Sequence, residues 1–367
     1  VVLITNRRPE QTAVFGKIRV YAGPNALPPH QDNSAATADD SRLLAAFFDR
    51  PLFPENFTAP DTLDEQSGRS LKDWVTFYEG GRRLVQYLKH VGYNGAVISV
   101  ACQGATIYPS SILHPVPKYD TGIFFGTGQD PIPKDILEML FRLFDREGLQ
   151  LVPAVHFSGT LAELEHQLRS SPTQSEGIAL VDRQGNTWQQ DYGTDRGMAP
   201  HYNPLDHRVQ AAMRRVLDEI TDRYQHHHSF AGLALQLGPE TYSLLPGEHW
   251  GFDRVTQHRF GSEQDADTNS NKPVPTQNDR NREEQRAWLQ WRAETLAEFH
   301  LAISNDLRQK RQDARLYLVG SDLFKNENVQ PLLQPTIPNR LRINDALLQM
   351  GIRAEHYDGH PQVVFFR

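Results

Sequence analysis

The sequence predicts an α/β fold of the TIM (β/α)8-barrel type, and three observations carry that prediction. Apolar, strand-like runs alternate with amphipathic helical runs over most of the chain. The turns before the strands are short ("HVGYN", "REGLQ", "KRQDAR"), whereas the loops after them are long and rich in polar and aromatic residues, as when a site is built at the C-terminal ends of barrel strands. The glycine-rich G-x-G-x-x-G turn that would favour a doubly wound open sheet is absent after the first strand.

Taken in order, "RLLAAFFD" reads as a strand, "FYEGGRRLVQYLKHVG" as an amphipathic helix closed by Gly92, and "NGAVISVA" as the second strand. The helix "PKDILEMLFRLFDREG" leads to the strand "LQLVPAVHF", and "DHRVQAAMRRVLDEITDRYQ" leads to the fourth strand, "FAGLALQL". The long helix "REEQRAWLQWRAETLAEFHLAISNDLRQKR" precedes the strand "ARLYLVGS", and "NRLRINDALLQMG" precedes a sixth, "IRAEHYD". Six steps are two short of the roughly eight that close such a barrel. The expectation is a barrel incomplete at its C-terminus.

Upstream, "VVLITNR" and "FGKIRVYAG" read as strands, the remnant of a β-sandwich, and residues 23–41 as a Pro-, Ala- and Asp-rich linker. This divides the chain into residues 1–41 and a barrel over residues 42–367. The first residues show neither an initiator Met nor a signal-peptide pattern, and the last run, "PQVVFFR", stops inside apolar sequence. The chain is therefore expected to be an internal piece of a longer, multidomain protein, with export to the periplasm or cell exterior as one destination.

A net charge of -7 and a pI near 6.1 lack the basic footprint that neutralising phosphates requires, which argues against nucleic acid as a partner. No apolar run approaches the roughly 18 residues of a membrane span. The single cysteine, Cys102, excludes an intrachain disulfide; it follows a strand with no basic neighbour in sequence, which argues against a nucleophile. Oligomeric state is not legible.

The run "GYNGAVISVACQGATIYPSSILHPVPKYDTG", followed by "GQDPIPKDILEMLFRLFDREGLQLVPAV", resembles bacterial glycosyl-hydrolase-like TIM-barrel proteins related to glycoside hydrolase family 10. "ALVDRQGNTW", "YNPLDHRVQAAMRRVLDEITDRYQ" and "FAGLALQL" are similar to that group in the same order, so the resemblance covers roughly residues 42–358. It implies binding or cleavage of carbohydrate, with an acid/base carboxylate just after the fourth strand. Glu240, delivered by Gly238-Pro239, stands there, although the Asn-Glu or similar polar pair expected at this strand end is replaced by Leu237-Gly238-Pro239-Glu240. A glycosidase needs such a carboxyl to protonate the leaving oxygen. The resemblance places the partner carboxylate after a seventh strand, beyond Arg367. Asp322 after strand five, and Glu355 or Asp358 around strand six, are the candidates within the chain.

A sugar cleft wants aromatic platforms among hydrogen-bonding groups. Tyr108, Tyr119 and Asp120 in the second loop, His156 at the end of strand three, and Gln236, Tyr242, His249 and Trp250 around strand four meet that description. So do Glu355, His356 and Tyr357. Residues 226–228, "HHH", read as a solvated helix end, because consecutive residues diverge and no second ligand cluster accompanies them. Trp288 and Trp291 share one helix face, read as the face packed on the barrel, and residues 261–284 read as a polar loop. No metal or organic cofactor is expected.

The first functional expectation is therefore a glycoside hydrolase acting through carboxylates. The second is a non-catalytic carbohydrate-binding barrel, and the third, weakened by the lack of His-x-His after strand one, is a metal-dependent hydrolase.

Overall fold

The computed structural model describes residues 42–49, 73–102, 105–115, 135–170, 175–192, 202–268, 282–324, 333 and 342–366. Strand β1 (Ala45–Phe48) is followed by helix α1 (Asp73–Val91) and strand β2 (Gly95–Cys102). Two short strands, β3 (Ala105–Thr106) and β4 (His114–Pro115), hang on the end of β2. Helix α2 (Ile136–Glu147) leads to β5 (Gln150–His156), then α3 (Ala162–Ser170), α4 (Trp188–Tyr192) and α5 (His207–Tyr224) lead to β6 (Gly232–Gln236). The last elements are α6 (Arg254–Thr268), α7 (Arg282–Lys310), β7 (Arg315–Val319), α8 (Ile343–Gln349), a 3-10 turn (Ala354–Tyr357) and β8 (Val363–Phe366).

Strands β1, β2, β5, β6, β7 and β8 pair in that order, every pair parallel. A doubly wound sheet would reverse direction at a switch point; this sheet advances by one neighbour each time, as a barrel does. It also curls, so that Phe47 on β1 and Phe366 on β8 meet edge to face at 6.4 Å. The described residues thus form a six-stranded parallel half-barrel. The predicted β-sandwich remnant, residues 1–41, lies outside them.

The helices begin and end where local chemistry dictates. The Asp135 side chain accepts the Glu138 amide at the start of α2, and Gly148 closes the helix in the left-handed region, with its N–H on the Asp145 and Phe144 carbonyls. Asp206 likewise caps α5. These helices bury Ile136, Leu140, Phe144, Val209, Met213 and Ile220 against the outward residues of the sheet, Ile98, Val155 and Leu235 among them. Inside the curl sit Val97, Val152, Ala154, Ala234, Tyr317 and Val319, with Phe47 and Phe366 packed against them.

Three expectations need correction. "IRAEHYD" is not a strand: between Gly351 and Gly359, both at positive φ, the chain makes the 3-10 turn, and Tyr357 is buried with its hydroxyl 2.8 Å from His300 Nδ1. Its alternation of apolar and polar residues mimicked a strand, but the β-branched and aromatic run "VVFF" pairs with β7 instead. Trp288 and Trp291 do share a face, stacked at 5.3 Å, yet they join Trp188, Trp250, Phe252 and Phe260 in a separate cluster rather than the main core. The start of the predicted polar loop, as far as Thr268, belongs to α6.

Arg292, buried beside that cluster, donates to the carbonyls of Gly247 (2.9 Å), Glu248 (3.2 Å) and Gln349 (2.7 Å), and burial pulls its pKa down to about 9. No described helix is long and apolar enough to cross a membrane.

Two other buried groups impose opposing pH dependences. Burial pushes Asp253 up to about 6, against the hydrogen bonds it accepts from Thr256. A carboxyl raised in this way favours the fold at low pH, and its contribution is lost as pH rises through about 6. Burial pulls His300 down to about 4, so its contribution is present above its unfolded value, roughly 6.5, and is lost as pH falls toward 4. Each is worth about 3 kcal/mol at one unit of pKa per 1.36 kcal/mol. They offset between pH 4 and 6. In urea denaturation across that window these two contributions are expected to cancel, each being unmasked when the other group is substituted. Asp253→Asn should lose stability as pH falls, and His300→Asn should gain it.

Candidate functional site

Parallel register decides which side chains reach the strand-end face. Leu233 and Leu235 of β6 face the helices and Ala234 faces inward, so Gln236 also faces inward, at the last position of the strand. On β5, Val155 faces out and His156 in; on β2 a bulge between Ser99 and Ala101 restores the phase, so that Cys102 pairs with His156. Cys102, His156 and Gln236 therefore end three consecutive strands of the sheet on its inner side, with Ser99 one layer deeper.

Two of these groups are strained in the hydrogen-bond sense. Ser99 is fully buried and Gln236 is 5% exposed, yet the Ser99 hydroxyl and the Gln236 amide nitrogen have no partner among the described residues. A buried polar atom without a partner costs about 1–3 kcal/mol, a cost that a hydrogen bond from a ligand or a water at this face would relieve. Beside them His156 Nδ1 lies 2.7 Å from Ser158 Oγ. Gln236→Leu is expected to leave the fold equally or more stable by urea denaturation, while weakening any ligand held at this face.

Two carboxylates follow the ends of β6 and β7. After β6 the Leu237 amide donates to Val319 O (2.8 Å), and Gly238 O accepts both the amide (3.0 Å) and the hydroxyl (2.9 Å) of Thr241. The tight turn so formed exposes Glu240 at its tip. Asp322 lies half-buried in the turn after β7, where Leu323 N donates to Gly320 O. Its Cβ lies 3.7 Å from the position a Gly238 Cβ would occupy, so the two turns are in contact.

The aromatic and histidine expectations divide differently. Tyr108 does not line this face: "YPS" folds outward, with the Tyr108 ring edge-on to Tyr224 and Ser110 and Ser111 bound to Glu219 of α5. Tyr242 is core, its hydroxyl donating to Gly159 O at 2.7 Å. Trp250 packs on Trp188 at 5.0 Å within the satellite cluster, while His249 beside it is exposed, 3.6 Å from Glu248. Glu355, His356, Tyr357 and Asp358 come before β8 rather than after a strand, and Glu355 pairs with Arg353. Tyr119 and Asp120 lie outside the described residues.

Sequence reasoning missed Ser99, whose signal was a lone hydroxyl inside "AVISVA", and Ser158. It also missed Phe324, two residues after Asp322 and 36% exposed. Although Cys102 has no basic neighbour in sequence, its cross-strand partner is His156.

No protein-family model matches the chain, and no curated protein does. Among solved structures it is similar to the catalytic domain of a β-amylase from Paenibacillus polymyxa, with a TM-score of 0.48 and 12% identity over 80% of this chain and 73% of that one. It is also similar to a β-galactosidase from the psychrophilic Marinomonas ef1, with a TM-score of 0.43 and 12% identity over 76% of this chain and 37% of that one. A GH42 β-galactosidase from G. stearothermophilus gives a TM-score of 0.45 and 10% identity over 75% of this chain and 35% of that one. The chain thus spans little more than a third of the two galactosidases. These neighbours are glycoside hydrolases, and at such scores and identities the likeness says nothing of this chain's own chemistry.

Proposed function

We propose that the strand-end face binds carbohydrate and hydrolyses glycosidic bonds, with Glu240 as general acid/base and Asp322 as its partner. The observation that supports this most directly is the pair of carboxylates on touching turns after β6 and β7, beside buried polar groups that have no partner among the described residues. A sugar hydroxyl can donate to and accept from Gln236 and Ser99, which an apolar ligand cannot do. Phe324 offers a ring on which a sugar's apolar face can lie. The order of motifs along the chain supports a relation to glycoside hydrolase family 10 as part of the same proposal.

The separation of the two carboxyl groups in a bound complex would set the outcome: about 5–5.5 Å for retention, about 6.5–9.5 Å for inversion. Incubation with a panel of aryl glycosides and oligosaccharides, followed by NMR of the anomeric proton released, tests activity and stereochemistry together. No turnover of any glycan would remove the hydrolase. Phe324→Ala should raise KM several-fold and leave kcat little changed, a platform being used equally in ground and transition states.

The exposure of Glu240 favours a second reading, a carbohydrate-binding barrel without turnover, since an acid catalyst gains from partial burial. Saturable sugar binding by calorimetry with no product would select it.

A further inference from the structure

We infer that Glu138, His226 and His227 form a divalent transition-metal site at the edge of the half-barrel where the strands begin, away from the strand-end face. One ligand atom from each lies within 4.8 Å of the other two. His226 and His228 are exposed, as the sequence suggests, but His227 is only 5% exposed, and its ring stacks on Phe141 at 4.9 Å with an 11° interplanar angle.

The surroundings hold His227 as a ligand is held. Its Nδ1 lies 2.6 Å from Asp145 Oδ2, and Asp145 in turn accepts from the Ser229 amide (2.8 Å) and hydroxyl (2.7 Å). This fixes the ring and directs Nε2 at Glu138 Oε2, 2.9 Å away. A carboxylate on the far nitrogen of a metal-binding histidine is the usual outer partner, setting its tautomer and raising its basicity. His226, exposed and with its ring 4.2 Å from that of His227, closes the third side.

Glu138 keeps one oxygen for the metal. Arg142, one turn along α2 and largely exposed, donates to Oε1 at 2.7 Å and leaves Oε2 facing the histidines. With both imidazoles neutral, Glu138 and Asp145 against Arg142 leave a local charge of -1, which suits a dication. Two imidazole nitrogens and one carboxylate oxygen match Zn2+, and also Co2+ or Ni2+, whereas Ca2+ and Mg2+ prefer all-oxygen shells. Solvent would complete the shell. The bound ion would tie α2 to the segment that feeds β6.

The probe is ZnCl2 added to the EDTA-treated, dialysed full chain, read by calorimetry and by thermal melting. One ion per chain with a raised melting temperature is expected. His226→Ala removes an exposed ligand without opening the core, and should weaken binding by more than the roughly 10–100-fold that loss of an outer partner costs. Glu138→Gln should weaken it too, and His228→Ala should leave it unchanged. Absence of saturable binding would overturn the site and leave His227 as a clip between two carboxylates. Binding that survives His226→Ala, or is lost in His228→Ala, would overturn it as well.

Discussion

Glu240→Gln is expected to lower kcat for natural glycosides by about 10²–10⁴-fold, the range that general acid–base catalysis contributes. The amide keeps the shape of the side chain and cannot deliver a proton. Because Glu240 is exposed at the tip of its turn, the substitution should leave urea stability within about 0.5 kcal/mol of the parent. The loss should shrink for aryl glycosides whose leaving phenols are acidic, since these depart without protonation. That dependence separates an acid from a residue that merely binds sugar, for which all leaving groups would suffer alike. Asp322→Asn should show a deep loss with every leaving group, because nucleophile or base is needed throughout. Full activity in Glu240→Gln would remove it from the mechanism.

Gly232→Ala is expected to destabilise the chain by at least about 3 kcal/mol, enough to unfold a marginal domain. Gly232 opens β6 at φ 141°, and a Cβ there would sit 1.9 Å from the Arg315 carbonyl oxygen and 2.7 Å from the Arg315 amide nitrogen. Both obstacles are backbone of β7, paired with Gly232 in register, so relief requires the fourth and fifth parallel strands to separate. Gly185→Ala is the control: its φ is 89°, but no atom lies within 4 Å of the added carbon. It should cost only the local conformational strain, about 1 kcal/mol. Equal losses in the two variants, by urea denaturation, would show that the close approach at Gly232 contributes nothing.

What the sequence revealed, and what it hid, follows from the range over which each signal acts. Strands such as "GAVISVAC" are legible because burial on both faces demands an unbroken apolar run, and helix α2 because Asp135 and Gly148 mark its ends locally. The position of Glu240 after the fourth parallel strand was legible for the same reason. Side-chain direction was not. Tyr108, Tyr242 and Trp250 are aromatic residues in loops, and whether such a ring faces a cleft or another helix depends on contacts made more than 60 residues away, such as Tyr108 with Glu219. The last strand was missed because "IRAEHYD" and "QVVFF" both carry strand character, and only pairing with β7 selects between them. His227 was misread because its partners, Glu138 and Asp145, lie on a helix two elements earlier.

The turn bearing Glu240 is suspended between its neighbours: Leu237 hangs from β7, while Tyr242 donates its amide to Phe157 O (2.9 Å) and its hydroxyl to Gly159 O. The loop after β5 therefore acts as a hanger for the proposed acid. Lengthening or reshaping residues 157–161 would move the turn that carries Glu240 along with them. If Glu240 is the acid proposed above, a change in that loop should alter turnover as well as binding, because both hydrogen bonds of Tyr242 end on it.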